Sequence, residues 1–224
     1  MTTTHQIKPW HVILHGFTSP QQAFITLYHQ PKAGWFAYLA LVLSVFLFWG
    51  AYFERTDPQW LLAQLSQIYP TQSLPDPQTL LAGQIISDVL SRTLCIVLLA
   101  IWFHLATKHI VKLTLRQWFA AASVMMLPAL LGDMASYVSG ILQHEPIVIF
   151  SADLNSLNGL LHLEPTSKWS QIASAFPLLM PWYIVLGYGA VLTWTPLEGG
   201  QALAIAMLPW LGFFSFWSLG VAIS

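Results

Sequence analysis

The sequence has 224 residues, of which 56% are hydrophobic and only 8% are charged. Soluble domains carry about 25% charged residues, so this composition predicts an integral membrane protein and excludes an ordinary soluble domain. The net charge of −1 and the lack of a basic run argue against a nucleic-acid partner.

The N-terminal segment, residues 1–33, contains a short proline-led helix and no membrane span. Ser19 and Pro20 are typical of an N-cap followed by the first helical residue. Ala23, Phe24, Leu27 and Tyr28 then fall on one face of that helix. We therefore expect a short interfacial helix that lies on the cytoplasmic leaflet of the membrane.

The rest of the chain, residues 34–224, contains apolar stretches of about 20 residues, the length that crosses a bilayer as a helix. Backbone groups in lipid must be satisfied within their own segment, so these stretches should be helices. The sequence thus predicts an all-α membrane protein, a bundle of five transmembrane helices preceded by the interfacial helix. The five predicted spans are residues 34–53, 89–106, 118–142, 172–193 and 202–223.

The two outer links between these spans also contain helix signals. Asp57 before Pro58 and Asp76 before Pro77 each read as an N-cap followed by the first helical residue. No strong breaker separates the second of these starts from span 89–106, so we expect a single long helix there. Leucines at helical spacing in the segment DLNSLNGLLHL predict a further short helix.

The distribution of lysine and arginine predicts the orientation in the membrane. The N-terminal segment and the link between the second and third spans carry an excess of basic residues over the opposite side. Cytoplasmic links are the ones enriched in these residues, so the N-terminus should be cytoplasmic and, with five spans, the C-terminus outside. The basic residues of the first side are Lys8, Lys32, Lys108, Lys112 and Arg116, and those of the other are Arg55 and Lys168.

Asp133 is the residue of the spans that most needs an explanation. A carboxylate near the bilayer centre costs about 2.5–3.5 kcal/mol on insertion scales, so it should face the bundle and find a partner. Arg92 of the second span should lie at a similar depth, and Asp88 is four residues earlier on the same helix face. We predict an intramembrane polar cluster of Asp88, Arg92 and Asp133. It would be a pair that fixes helix packing, a proton or ion pathway, or a contact with a partner protein.

Other chemistry has weaker support in the sequence. His11 and His15 are four residues apart and His29 is close by, but that segment has no Cys, Asp or Glu to complete a zinc site. We therefore predict no metal site and no cofactor. No nucleophile–base set and no phosphate loop is visible, so we predict no catalytic residue. Prolines in three spans, such as Pro128 and Pro209, would either shape helices for packing or mark discontinuous helices.

The order of these features resembles the Yip family, the Ypt/Rab-interacting membrane proteins, and its bacterial branch in particular. FTSPQQAFITLYHQPKAGW resembles the family's entry segment, and KLTLRQWFAAASVMMLPALLGDM resembles its third-span entry. SADLNSLNGLL resembles its outer leucine segment, and the last two spans are closely linked as in the family. The resemblance extends over residues 17–221.

The resemblance implies a non-catalytic membrane protein with an adaptor or organising role. Eukaryotic members have a longer cytosolic N-terminal region and a DLYGP motif, and this sequence shows neither, so Rab binding is not expected. Some bacterial relatives accompany ABC-type exporters, so the resemblance implies a partner complex in a bacterial inner membrane. The expected partners are the lipid bilayer and other membrane proteins or further copies of the chain. The alternative function is a small transporter or permease component that uses Asp133 and Arg92.

Overall fold

The computed structural model describes residues 8–68, 74–142, 152–164 and 166–223, and these are predominantly helical. In these ranges the only β-type pairing is an isolated bridge between Ser156 and Pro177. The all-α class predicted from the sequence is confirmed. The helices of the described ranges are α1 (His11–Thr18), α2 (Pro20–His29), α3 (Gly34–Arg55), α4 (Pro58–Ile68), α5 (Pro77–Thr107), α6 (Leu115–Met125), α7 (Ala129–Leu142), α8 (Leu157–Leu161), α9 (Ser170–Ala175), α10 (Met180–Trp194) and α11 (Gly199–Ile223).

Four segments of the described chain are long and apolar enough to cross a membrane. They correspond to the first, second, third and fifth predicted spans, so the membrane-spanning character of the chain is confirmed at this level. The second is the single 31-residue helix that the sequence led us to expect. The four segments are Pro31–Arg55, Pro77–Thr107, Leu115–Leu142 and Gly199–Ile223.

The remaining predicted span, residues 172–193, is divided between α9 and α10. Phe176 ends α9 in an extended conformation, with ψ of 109°, directly before Pro177. Proline disfavours helical geometry in the residue that precedes it, which accounts for the interruption. The 15 residues of α10 extend only about 22 Å, less than the roughly 30 Å hydrocarbon core. The count of five spans therefore stays a prediction.

Two other prolines have different effects on their helices. Pro128 coincides with a break, since α6 ends at Met125 and α7 begins at Ala129. Pro209 lies inside the continuous helix α11. Proline has no N–H for the carbonyl four residues earlier, here that of Ile205. The indole N–H of Trp102 on α5 donates to this carbonyl at 2.9 Å, so α5 supplies the hydrogen bond that Pro209 cannot.

By its internal contacts the chain divides into two compact units, each of which is described by itself. Unit 1 consists of Met1–Leu41, Thr93–Pro128 and Pro181–Gly212, and unit 2 of Val42–Arg92, Ala129–Met180 and Phe213–Ser224. Boundaries fall within α3, α5 and α11, so each of these helices contributes residues to both units, and another falls directly after Met180, the first residue of α10.

The core of unit 1 is built around Trp118 of α6, which is fully buried. Its ring stacks on Phe103 at 5.3 Å and contacts Trp194 at 5.0 Å between ring centroids. The indole N–H of Trp194 donates to the backbone carbonyl of Phe24 at 2.9 Å. Phe24 and Leu27 of α2 are fully buried, so the apolar face predicted for this helix packs on protein. Its position at the membrane interface stays a prediction.

The core of unit 2 includes the second half of α3 and the link helix α4. Val45, Phe48 and Trp49 of α3 pack with Leu61 and Leu65 of α4 in one cluster of buried side chains. The leucines of α4 lie at the helical spacing seen in the sequence, so this helix has one buried apolar face. The link between the first two spans is therefore packed onto α3.

The bond from Trp102 to the Ile205 carbonyl leads to a test. Trp102→Phe keeps most of the aromatic packing but removes the donor, and leaving a carbonyl unsatisfied should cost about 1–2 kcal/mol of unfolding free energy. In a Pro209→Ala background the new N–H can bond Ile205, so Trp102→Phe should cost much less. Unfolding in a denaturing detergent measures the free energies of the wild type, Trp102→Phe, Pro209→Ala and the double variant. Trp217→Phe, whose indole N–H has no hydrogen bond in the described chain, is the control. An equal cost in both backgrounds would contradict the assignment.

Candidate intramembrane polar site

The structure brings Arg92 of α5 and Asp133 of α7 into a bidentate ion pair. Arg92 Nη2 donates to Asp133 Oδ1 and Arg92 Nη1 donates to Oδ2, both at 2.6 Å. Asp133 is only 5% exposed. Both residues belong to unit 2. The geometry uses both carboxylate oxygens and two guanidinium nitrogens, which is the strongest arrangement that these two groups can form.

Ser44 of α3 is a third member of this site, and the sequence reasoning missed it. Its hydroxyl donates to Asp133 Oδ2 at 2.5 Å, and Arg92 Nη1 approaches the serine Oγ at 3.3 Å. Helices α3, α5 and α7 are thereby joined at one point. The available signal was that Ser44 is the only hydroxyl-bearing aliphatic residue in the apolar run of the first span. Its helical phase relative to Asp133 could not be read from the sequence.

Asp88, the third predicted member of the cluster, has a different direct partner. Its Oδ2 accepts a hydrogen bond of 2.6 Å from the indole N–H of Trp49 on α3. Among the described residues it makes no ion pair with Arg92, although it precedes Arg92 by one helical turn. The structure therefore shows two neighbouring connections between α3 and α5, one through Trp49 and one through Ser44.

The segment before α8 that contains Leu154 and Asn155 packs on α7 close to Asp133. The hydroxyl of Ser136, one turn after Asp133, accepts the backbone N–H of Leu154 at 2.8 Å. At Gly132 an added Cβ would lie 2.5 Å from the side chain of Asn155, so only glycine allows this approach. Gly132 and Ser136, on either side of Asp133 along α7, therefore contact the segment that contains Leu154 and Asn155.

Asp153 of this link was not among the predicted site residues. It is half-buried, and its Oδ1 accepts the backbone N–H of Asn155 at 2.8 Å. Burial raises the pKa of Asp153 from 3.8 to about 6. The negative charges of Asp133 and Asp88 also raise this pKa, whereas the hydrogen bond from the Asn155 N–H and the positive charge of Arg92 lower it. Three carboxylates therefore act electrostatically on a single guanidinium. A loop residue has no periodicity to reveal such proximity, so nothing in the sequence pointed to Asp153.

The histidines considered as metal ligands are placed without a complete ligand set. His11 and His15 lie on α1 with ring centroids 6.1 Å apart, and His29 lies at the end of α2 beside Tyr28. Within the described ranges, no three His, Cys, Asp or Glu side chains come together as metal ligands would. What the polar site can do chemically is hold a compensated charge inside the bundle and take up a proton at Asp153.

Comparison with known protein families shows which family the chain resembles. The family model described as the Yip1 domain matches residues 15–220, nearly the whole chain. No curated protein and no solved structure matches the chain.

The ion pair leads to a double-substitution test. Asp133→Leu or Arg92→Leu alone should lower the unfolding free energy by about 3–5 kcal/mol, because each leaves an unpaired charge among buried groups. The double variant should recover much of that loss, since no uncompensated charge remains. Unfolding from mild detergent into a denaturing detergent measures all three.

The control for this test is Arg55→Leu, which removes an exposed arginine of α3 and should change stability by less than about 0.5 kcal/mol. If the double variant loses as much as the two single variants together, the two residues do not stabilise each other.

The raised pKa of Asp153 leads to a pH-dependent test. Between about pH 4 and pH 6 the folded protein binds a proton at Asp153 that the unfolded chain releases, so this group lowers stability as the pH rises. Above pH 6 the ionised carboxylate remains a cost, which Asp153→Asn removes. We expect the variant to be more stable than the wild type at pH 7.5, by up to about 3 kcal/mol. The gain should disappear near pH 4.

Asp76→Asn is the matched control for this pH dependence. Asp76 is exposed, and hydrogen bonds from the Thr79 hydroxyl and from the N–H groups of Thr79 and Gln78 lower its pKa. Its ionised form is therefore favoured by folding, and the substitution should give no gain at pH 7.5. Parallel pH profiles for the two variants would show that Asp153 does not titrate as described.

Proposed function

The chain belongs to the Yip1 domain family, and on this basis we propose that it is a non-catalytic accessory or adaptor protein of the membrane. In this proposal it organises or binds other membrane components, such as the subunits of an exporter. The bilayer contact follows from its apolar membrane-spanning helices. The adaptor role is the proposed part, and it is supported by how the charges of the spans are used.

The observation that carries the proposal is the closed geometry of the polar site. Arg92 is engaged with both oxygens of Asp133, Ser44 donates to the same carboxylate, and Asp88 accepts from Trp49. Groups on a transport path must exchange partners with the passing ion or substrate. Here the groups are engaged with one another across three helices, which favours a role in holding those helices together. In this proposal, partners bind to the exposed surfaces of the spanning helices.

These outward surfaces are strongly apolar. The segment Leu115–Leu142 is the most enclosed, because 72% of an apolar stretch of 18 residues within it is buried in the protein. The corresponding share in the other three spanning segments is only 22–28%. On α5 the side chains of Leu94, Leu98 and Leu105 point outward and are about half exposed. Such surfaces contact lipid or the helices of another membrane protein.

We propose the orientation with the N-terminus cytoplasmic and the C-terminus outside, in a bacterial inner membrane. Unit 1 contains five lysines and arginines and a single acidic residue, Glu198. Unit 2 contains three basic residues and eight acidic ones. Enrichment of basic residues at cytoplasmic segments supports the placement of the N-terminus. The placement of the C-terminus rests on α10 completing a fifth span.

A second candidate function is a small transporter or permease component that uses the polar site. The observation in its favour is that three carboxylates act on one guanidinium and that the pKa of Asp153 lies near 6. A proton taken up at Asp153 would change the balance of charge around Arg92 and Asp133. This candidate predicts a measurable flux through the protein.

Purification of the tagged chain from native membranes in mild detergent tests the two functions. We expect a membrane protein partner in fixed stoichiometry, quantified by mass spectrometry against the tagged chain. Asp133→Asn should reduce the amount of folded chain but not the partner ratio per folded chain. In liposomes the purified protein should give proton and ion flux no greater than protein-free vesicles. A protein of uniform size without a partner, together with a flux that Asp133→Asn abolishes, would instead establish the transporter.

A further inference from the structure

Unit 1 contains a pocket of about 500 Å³ between the start of α3, the second half of α5 and the start of α6. This volume is in the range of ligand sites, which measure about 300–1,000 Å³. The pocket is partly open to the surroundings of the protein. Its lining is apolar except for one arginine, and includes Trp35, Val97, Ala100, Phe119 and Arg116.

The aromatic wall of the pocket is held in place by its own contacts. The ring of Trp35 lies 5.5 Å from that of Phe119 and 5.4 Å from that of Tyr38. The Tyr38 hydroxyl shares a hydrogen bond of 2.9 Å with Thr93 of α5. Trp35 is nevertheless 48% exposed, so one side of its ring remains available. The wall is a preformed surface with a free apolar face.

The pocket lies at the ends of membrane-spanning segments. Two of these segments begin at Pro31 and Leu115, which both line the pocket. On the third, Ala100 lies about two turns, roughly 10 Å, before the end of α5 at Thr107. The pocket therefore extends from the membrane interface into the part of the hydrocarbon layer next to that interface. An occupant would need a polar end at the interface and an apolar body.

The charge next to the pocket is positive and uncompensated. Arg116 is exposed and makes no ion pair and no side-chain hydrogen bond in the part of the chain that the structure describes. Lys32 follows the lining residue Pro31, and Lys112 is four residues before Arg116. Both lysines are exposed. The only acidic residue of unit 1 is Glu198. The polar end of the occupant should therefore be an anion, and arginine favours phosphate through paired hydrogen bonds.

We propose that this pocket binds an anionic glycerophospholipid from the adjoining leaflet. An acyl chain occupies the space along Trp35, Val97 and Ala100, and the phosphate accepts hydrogen bonds from Arg116. Basic pockets between membrane helices are suited to such headgroups, and each buried methylene of the chain adds to the affinity. The inference requires only that the protein resides in a membrane, so it stands apart from the adaptor role.

Native mass spectrometry of the delipidated protein in detergent tests the proposal, with dioleoylphosphatidylglycerol and dioleoylphosphatidylcholine as probes. We expect one phosphatidylglycerol per chain, bound more tightly than phosphatidylcholine. Arg116→Gln should weaken phosphatidylglycerol binding about tenfold to a hundredfold, as the loss of a charged hydrogen bond implies, and should leave phosphatidylcholine binding unchanged. Because Arg116 is exposed, this variant is expected to fold normally.

Two further variants separate the pocket from a general attraction to charge. Lys108→Gln removes an exposed basic residue of the same unit that does not line the pocket, and should leave binding unchanged. Val97→Trp should fill the space for the acyl chain and lower the binding of both lipids, with thermal unfolding as the check on its fold.

Two results would overturn the proposal. If phosphatidylglycerol binds in several copies per chain and equally to the wild type and Arg116→Gln, the lipids are only a surrounding shell. If both lipids bind alike and Arg116→Gln has no effect while Val97→Trp abolishes binding, the pocket takes an apolar chain without an anionic headgroup.

Discussion

The bidentate pair of Arg92 and Asp133 is the constraint on which the packing of unit 2 depends. A carboxylate in an apolar helix must face a partner, and this requirement sets the rotation of α7 about its own axis. Once Asp133 faces Arg92 and Ser44, its neighbours Gly132 and Ser136 face the link that contains Leu154 and Asn155. One ion pair therefore determines which side of α7 is polar and where the link can be seated.

The sequence was sufficient to predict the all-α class, four long apolar segments and the contact of Arg92 with Asp133, but not the partners that depend on helix rotation. Arg92 and Asp133 could be matched because both are rare charges and helical rise places them at similar depths. Ser44 and Trp49 could not be found in this way, because a serine and a tryptophan in an apolar span need no partner. Asp153 lies in a loop, where spacing along the chain carries no information about position.

The prolines show why span boundaries were harder to predict than spans. Pro128 and Pro177 coincide with helix ends, whereas Pro209 lies inside a continuous helix. At Pro128 and Pro209 the carbonyl four residues before the proline is satisfied in different ways. The Val124 carbonyl accepts the N–H of Leu127 in a turn, while the Ile205 carbonyl accepts the indole of Trp102 from α5. At Pro209 the free carbonyl is thus satisfied by a residue distant in sequence, which spacing along the chain does not reveal.

The two units use their charges in different ways, and this has a consequence for function. In unit 2 the carboxylates of Asp88, Asp133 and Asp153 each accept a hydrogen bond from another group of the protein. These charges therefore interact mainly within the protein. In unit 1 the basic residues lie at helix ends and are exposed, and the single acidic residue Glu198 cannot compensate them. Exposed cations beside an apolar pocket attract anions from outside the protein, and at a membrane interface the most abundant of these are lipid phosphates. The same excess of basic residues from which we infer the orientation therefore also leaves Arg116 available for a headgroup.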